Sequence, residues 1–492
     1  MEIMRTILVW CCLLFIAYQL KAQPCYDDYF TARTLRVDLY MTGDAQNLTI
    51  SMGQLFEEGF WPGNTDHLID HLNNGNFYVK VYSLIDNNLI YSKGFDCIFG
   101  EYQTTRPALA GIKRTFAEAV RIPYPQSPVN LAIEKRDSLN ILQPVWNCSI
   151  HPADNQIVSE ETDNRDRTYN ALISGDPGKK VDLVFVAEGY SSEEWEKFTQ
   201  DVDHFSNVLF RVEPFKSHQD FFNIYGVFRP SAHSGVDHPT REIYKNTALD
   251  ASFNALNVPR YLLVRDRKTM HDIASAVPYD AIIVIANSQR YGGGGIYNNY
   301  TIFTADHEKS EALFMHEFGH GFGGLADEYF SSTVSYENFY PNGVEPTEPN
   351  ITALLDTHHI KWEQYLTPGI AVPTPWGQDQ IAALKKQQQV NHQKMEQEIN
   401  KMKRKGASNQ AIKKIREKFS GKNAALTRQI DRIQEKYHKK YQGKIGVFEG
   451  AGYQAKGLYR SEIGINMFDY DNFTYGNVSE AAILKVIKRY TE

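Results

Sequence analysis

Cysteine is scarce in this sequence of 492 residues: there are five, none in a CxxC pair or at another ligand-like spacing. Thiolate-built metal modules and disulfide-dense scaffolds are therefore excluded. The apolar run Ile7–Ala17 has only eleven residues, too few for a permanent membrane span. No period of about 20 to 50 residues repeats, which removes solenoids. The 33 Gly and 20 Pro follow no period either, so collagen-like and low-complexity readings fall away. An excess of positive charge is also missing, with 52 Lys and Arg against 59 Asp and Glu. That balance argues against nucleic acid as the main partner.

What is present suits a globular chain with more than one core, since 42% of residues are hydrophobic and 13% aromatic. Residues 1–22 read as a secretory leader, with Arg5 ahead of the apolar run and Ala22 before Gln23. Bulky Trp10 before Cys11 stands where a lipid-transfer site wants a small residue. Export makes one disulfide an expectation among Cys25, Cys97 and Cys148, and the odd number leaves at least one thiol free.

Residues 23–150 carry short alternating runs such as Thr34–Tyr40 and Phe77–Ser83, separated by turn signals including Asn74-Gly75, and predict an all-β sandwich. A linker is expected over 151–179. From Lys180 the grammar changes. Val181–Ala187 and Ala281–Ala286 are near-continuous apolar strands that alternate with helical patterns, which predicts an α/β domain over 180–492. Between 378 and 444 there are 18 Lys and Arg against 6 Asp and Glu, leaving 34 against 53 elsewhere. This basic stretch, about 380–440, predicts helices broken at Gly406-Ala407-Ser408 and at Ser420-Gly421 and packed as a hairpin.

Chemistry concentrates at His316-Glu317-Phe318-Gly319-His320. Residues four apart share one helix face, so both imidazoles can meet one ion, and Glu317 can reach a water polarised by that ion as general base. The pattern predicts a zinc site of a hydrolase. A third ligand is needed. In the extended HExxHxxGxxH/D spacing it falls six residues after the second His, where Ala326 stands. The glycine pair Gly323-Gly324 can absorb one extra residue, which favours Asp327, then Glu328, then a distant residue.

These residues resemble the secreted bacterial IgA-peptidase-type zinc metallopeptidases, whose signature HExxH-x-F-x-x-L-x-DEY is matched by His316, Glu317, His320, Phe322, Leu325, Asp327, Glu328 and Tyr329. The likeness extends through Val181–Tyr190, Ser234–Asp237, Asn287–Gly295, the runs near Lys361 and Pro373, and Gly457–Arg460. It implies a metzincin-like fold, an N-terminal accessory domain and a methionine turn under the zinc, with Met467 at that position. Members commonly carry Cys near this Met, where Gly464 and Ile465 stand here. The resemblance also implies that Tyr291–Ile296 holds a substrate-pairing edge strand, whose glycines would admit a peptide backbone closely. Tyr470 is a candidate for steadying an oxyanion. The basic hairpin looks like an insertion.

The sequence therefore predicts a multidomain, exported zinc endopeptidase acting on protein or peptide, immunoglobulin or another glycoprotein included. Metal ligands are His316, His320 and Asp327, and Glu317 is the base. It predicts neither a nucleic-acid partner nor a permanent membrane span, and leaves surface association open. The rival reading is a secreted binding protein whose metal site is not catalytic.

Overall fold

The computed structural model describes residues 24–159, 165–330, 339–405, 407–465, 467 and 473–492. The expected leader and Tyr470 lie outside them. Among the described residues no helix is long and apolar enough to cross a membrane.

The N-terminal strands are β1 (Phe30–Gly43), β2 (Leu48–Phe60), β3 (Phe77–Ser83), β4 (Leu89–Phe95), β5 (Arg114–Pro125), β6 (Val129–Arg136), β7 (Leu142–Ile150) and β8 (Ile157–Ser159). They form two four-stranded sheets, β5-β1-β2-β8 and β4-β3-β6-β7. Leu35, Val37 and Leu39 of β1 meet Phe77, Val79 and Val81 of β3 in one core, as the period-two pattern requires. The other half of the β1 alternation is solvated only in part, with Tyr40 exposed. Thr34, Arg36 and Asp38 are buried, and Arg36 reaches Asp272 of the following domain.

The second unit is built on a six-stranded sheet of β9 (Arg167–Leu172), β10 (Val181–Glu188), β11 (Phe222–Phe228), β12 (Ala281–Ala286), β13 (Gly293–Ile296) and β14 (Tyr300–Thr304). The order is β13-β14-β12-β10-β11-β9, with β11, β10, β12 and β14 parallel and both edge strands antiparallel. Helices cover both faces, which is why β10 and β12 are apolar almost throughout. α1 (Trp195–Leu209), α3 (Ser310–Gly321) and the C-terminal α6 (Asn477–Thr491) pack on one face, and α2 (Arg267–Ala274) on the other. The stretch 151–179 is more than a linker. β8 joins the sandwich beside β2, and β9 closes the edge of the large sheet beside β11.

Beyond α3, β15 (Ile351–Thr352), β16 (Phe448–Ala451) and β17 (Gln454–Arg460) make a small sheet, order β15-β17-β16. The basic stretch forms two long helices, α4 (Gln378–Arg404) and α5 (Asn409–Tyr441), and the break expected at Ser420-Gly421 is not there, since α5 runs through both residues. Gln388 Nε2 donates to Thr427 Oγ1 at 2.9 Å, and Asn391 to Asn423 at 3.0 Å, which places the helices side by side.

The disulfide expectation is not met: Cys25, Cys97 and Cys148 are all free thiols. Cys97 belongs to the sandwich core and caps the helical turn Ile98–Gln103, its Sγ accepting from Gly100 N–H at 3.4 Å.

Candidate metal centre

α3 carries His316, Glu317 and His320 across the face of β13 and β14. Leu313, Phe314, Met315 and Phe318 bury its apolar side in the main core. The chain leaves the helix at Phe322, and Gly324, at φ +62°, takes the left-handed conformation that turns it back. The returning segment 326–329 is held from several sides. Asn350 Oδ1 accepts from Ala326 N–H at 2.8 Å while its Nδ2 donates to Ala326 O at 2.9 Å. Glu328 N–H donates to Met467 O at 2.8 Å, Gly452 N–H to Asp327 O at 2.9 Å and Tyr453 N–H to Tyr329 O at 3.0 Å.

This return brings Asp327 to the histidines. Asp327 Oδ1 lies 3.0 Å from His316 Nε2 and 3.4 Å from His320 Nε2, and the two Nε2 atoms are 3.1 Å apart. Three donor atoms thus converge on one point and can hold a metal ion. The surroundings favour it: among the described residues the buried Oδ1 has no hydrogen-bond partner, and His320 Nδ1 is 2.6 Å from Leu325 O. That bond takes the Nδ1 proton and leaves Nε2 as the donor to a metal. Tyr453 Oη donates to the other Asp327 oxygen at 2.5 Å. Burial works to raise the Asp327 carboxyl, but His320 and His316 outweigh it and hold it well below the usual carboxylate range.

Glu328, the rival ligand, faces away from this point. It accepts from Asn350 Nδ2 at 2.9 Å and sits in the field of buried Arg460. Glu317 is buried beside the histidines, and burial pushes its carboxyl up. Met467 lies beneath the helix. A Cβ added to Gly319, between the histidines, would come 3.0 Å from its Sδ.

The glycine-rich segment forms edge strand β13, and its glycines are also needed for packing against the helix. A Cβ on Gly293 would lie 3.0 Å from Glu317 Cγ, and one on Gly295 would clash with Glu317 O. They let the strand lie directly against α3. On its outer side β13 is met at Gly293 by Tyr261 and Leu262.

Three participants were missed at the level of sequence: Tyr453, Asn350 and Arg260. Arg260 lies in the field of Glu317 and hydrogen bonds with Tyr329, whose ring stacks on His316 with an interplanar angle of 14°. None sits near the motif in the chain. Local spacing carries no signal for them.

The centre opens into a cavity of about 420 Å³ lined by both units, including Lys135, Gln103 and Glu101 of the sandwich and Arg260 and Tyr329 of the second unit.

The model of the IgA Peptidase M64 family matches residues 170–487, and that of the Peptidase M64 N-terminus matches residues 25–147. The chain belongs to the IgA peptidase M64 family. No curated protein is similar enough to be matched to it.

Proposed function

We propose that this M64 family member is an exported zinc endopeptidase of metzincin-like architecture. Residues 1–22 act as its leader, 23–150 as the N-terminal domain and 180–492 as the catalytic domain with α4 and α5 as an inserted hairpin. What carries the reading is the donor triangle of His316, His320 and Asp327 with Glu317 buried beside it. Ligands about 2.0–2.1 Å from a tetrahedral zinc lie about 3.3–3.4 Å from one another, close to the three separations here. A purely structural zinc takes four protein ligands and has no use for an adjacent carboxylate. Three donors with Glu317 nearby fit a catalytic site instead.

Zinc held there would supply Lewis-acid polarisation of the scissile carbonyl and of the attacking water. Glu317 takes the proton from that water and hands it to the leaving amine. Its backbone is fixed by α3, and β13 packs against its side chain at Gly293. Arg260 and Tyr329 stand where they can steady charge that develops on the carbonyl oxygen. An extended substrate would add to β13 beyond Gly293, at the Gly295 end. The substrate is a protein, with immunoglobulin among those that the family's name suggests.

Metal analysis and peptide hydrolysis on Glu317→Gln and His320→Ala test this. Glu317→Gln keeps about one zinc per chain and loses at least about 10²-fold in kcat, because the proton acceptor goes while every ligand stays. His320→Ala loses the metal. Turnover of Glu317→Gln near the wild-type rate would overturn the reading.

A further inference from the structure

We infer that the N-terminal sandwich reads the substrate directly, with Lys135 binding a carboxylate of the peptide held in the cleft. The inference rests on the peptidase reading and extends it to substrate class.

Lys135 stands near the end of β6, opposite Phe77 of β3, and faces the cavity that contains His316 and Glu317. Its ammonium is half-buried and, among the described residues, has neutral company: it donates to the Gln103 amide oxygen and lies 5.8 Å from the centre of the Phe77 ring. Burial lowers its pKa, as expected of a cation without an anion beside it.

Neighbouring charges make the contrast. Arg136, the next residue, spends its guanidinium on the carbonyls of Gly75, Asn140 and Asn73. The carboxylates of the cleft are engaged elsewhere. Glu101 accepts from Tyr261 Oη at 2.5 Å, Asp96 from Asn76 N–H at 2.8 Å, and Glu348 from Tyr340 Oη at 3.0 Å. Glu345 pairs with Lys361 at 3.2 Å. Cations buried at the boundary between the units, Arg36, Arg267 and Arg489, each have a carboxylate within 3.3 Å. Among the described residues Lys135 is a cleft cation with no carboxylate paired to it, and a half-buried ammonium gains most from a carboxylate that arrives with the substrate.

The carboxylate can be an Asp or Glu side chain or the peptide's C-terminus. Paired peptides distinguish the two: Glu against Gln at each position around the cleaved bond, and free against amidated C-terminus. For wild-type zinc-loaded protein, kcat/KM favours one acidic member about tenfold, a ratio that falls as salt is raised. Lys135→Gln brings that ratio close to one, Lys135→Arg restores it and Lys135→Glu reverses it. Thermal melts and zinc content confirm that each variant is folded and loaded.

Binding of the same pairs to Glu317→Gln, followed by fluorescence anisotropy, separates the two readings. Lys135-dependent preference in binding, without cleavage by the wild type, keeps this inference and removes the peptidase. Cleavage with ratios untouched by Lys135→Glu, or neither binding nor cleavage of any pair, overturns the inference and leaves Lys135 as a packing residue.

Discussion

The N-terminal sandwich and the basic α4–α5 hairpin both look from the sequence like additions to a catalytic domain, yet they are attached in opposite ways. The hairpin touches the rest at its base, where Ile381, Ile430 and Tyr441 pack with Trp376 and Phe448. Its outer half has a small core of its own, Ile399, Ile412, Ile415 and Phe419, and contributes nothing to the cavity lining among the described residues. The sandwich is joined through buried charge. Arg36 Nη1 lies 3.0 Å from Glu58 within the sandwich, and its Nη2 lies 2.6 Å from Asp272 of α2 across the boundary. Arg489 of α6 returns the contact at 2.8 Å from Asp70. One addition is a projection, and the other forms a wall of the site.

Arg36 offers the sharpest way to break this contrast. Its side chain is 1% exposed and balances Asp38, Glu58 and Asp272 together. Arg36→Ala leaves buried Asp38 without its cation, Glu58 with Arg121 alone and Asp272 unpaired at the boundary, and should cost about 3 kcal/mol of stability, read by denaturant unfolding. A loss below about 1 kcal/mol would mean that the sandwich is attached as loosely as the hairpin.

A smaller effect is expected where the sandwich grips the site itself. The turn between β13 and β14 is held by Asp96 N–H donating to Tyr297 O at 2.9 Å and by Asn298 Nδ2 donating to Gly94 O at 2.7 Å. Asn298 sits at φ +51°, so glycine removes the amide while keeping the backbone conformation. Asn298→Gly should cost about 1 kcal/mol and lower kcat/KM a few-fold, because β13 packs against Glu317. An unchanged kcat/KM at reduced stability would separate the clamp from catalysis.

The helix of His316 and His320 was legible because its information is local: i,i+4 histidines, glycines at the exit, and a carboxylate seven residues on. Asp327 could be preferred over Glu328 for the same reason, although what holds it, Asn350 and Tyr453, lies 23 and 126 residues away. The sandwich strands were legible by alternation. The destination of their polar face was not, since period two reports that one face differs from the other and not whether the second meets water or another domain. Arg36 and Asp38, on that face, belong to the joint. β8 and β9 escaped notice for a related reason: each is short and weakly apolar, and each is recruited by a neighbouring strand rather than by its own pattern.

The hairpin should give the smallest effect. Asn391 and Asn423 face each other across the two helices at 3.0 Å, inboard of the outer core and outboard of the base. Replacing residues 392–422 with a short Gly/Ser loop removes the whole outer core together with the chain that forms it, so no buried surface in the remainder is opened. Cutting further in would expose Trp376 and Phe448, which Ile381, Ile430 and Tyr441 cover. The trimmed protein should therefore keep its zinc content, melt within a few degrees of the parent and cleave small peptides at a kcat/KM within about twofold. Unlike Arg36→Ala, it leaves every ion pair at the boundary of the sandwich in place. Loss of cleavage with the fold and zinc retained would show that the outer hairpin bends over the cleft during turnover, and the two additions would then share one role.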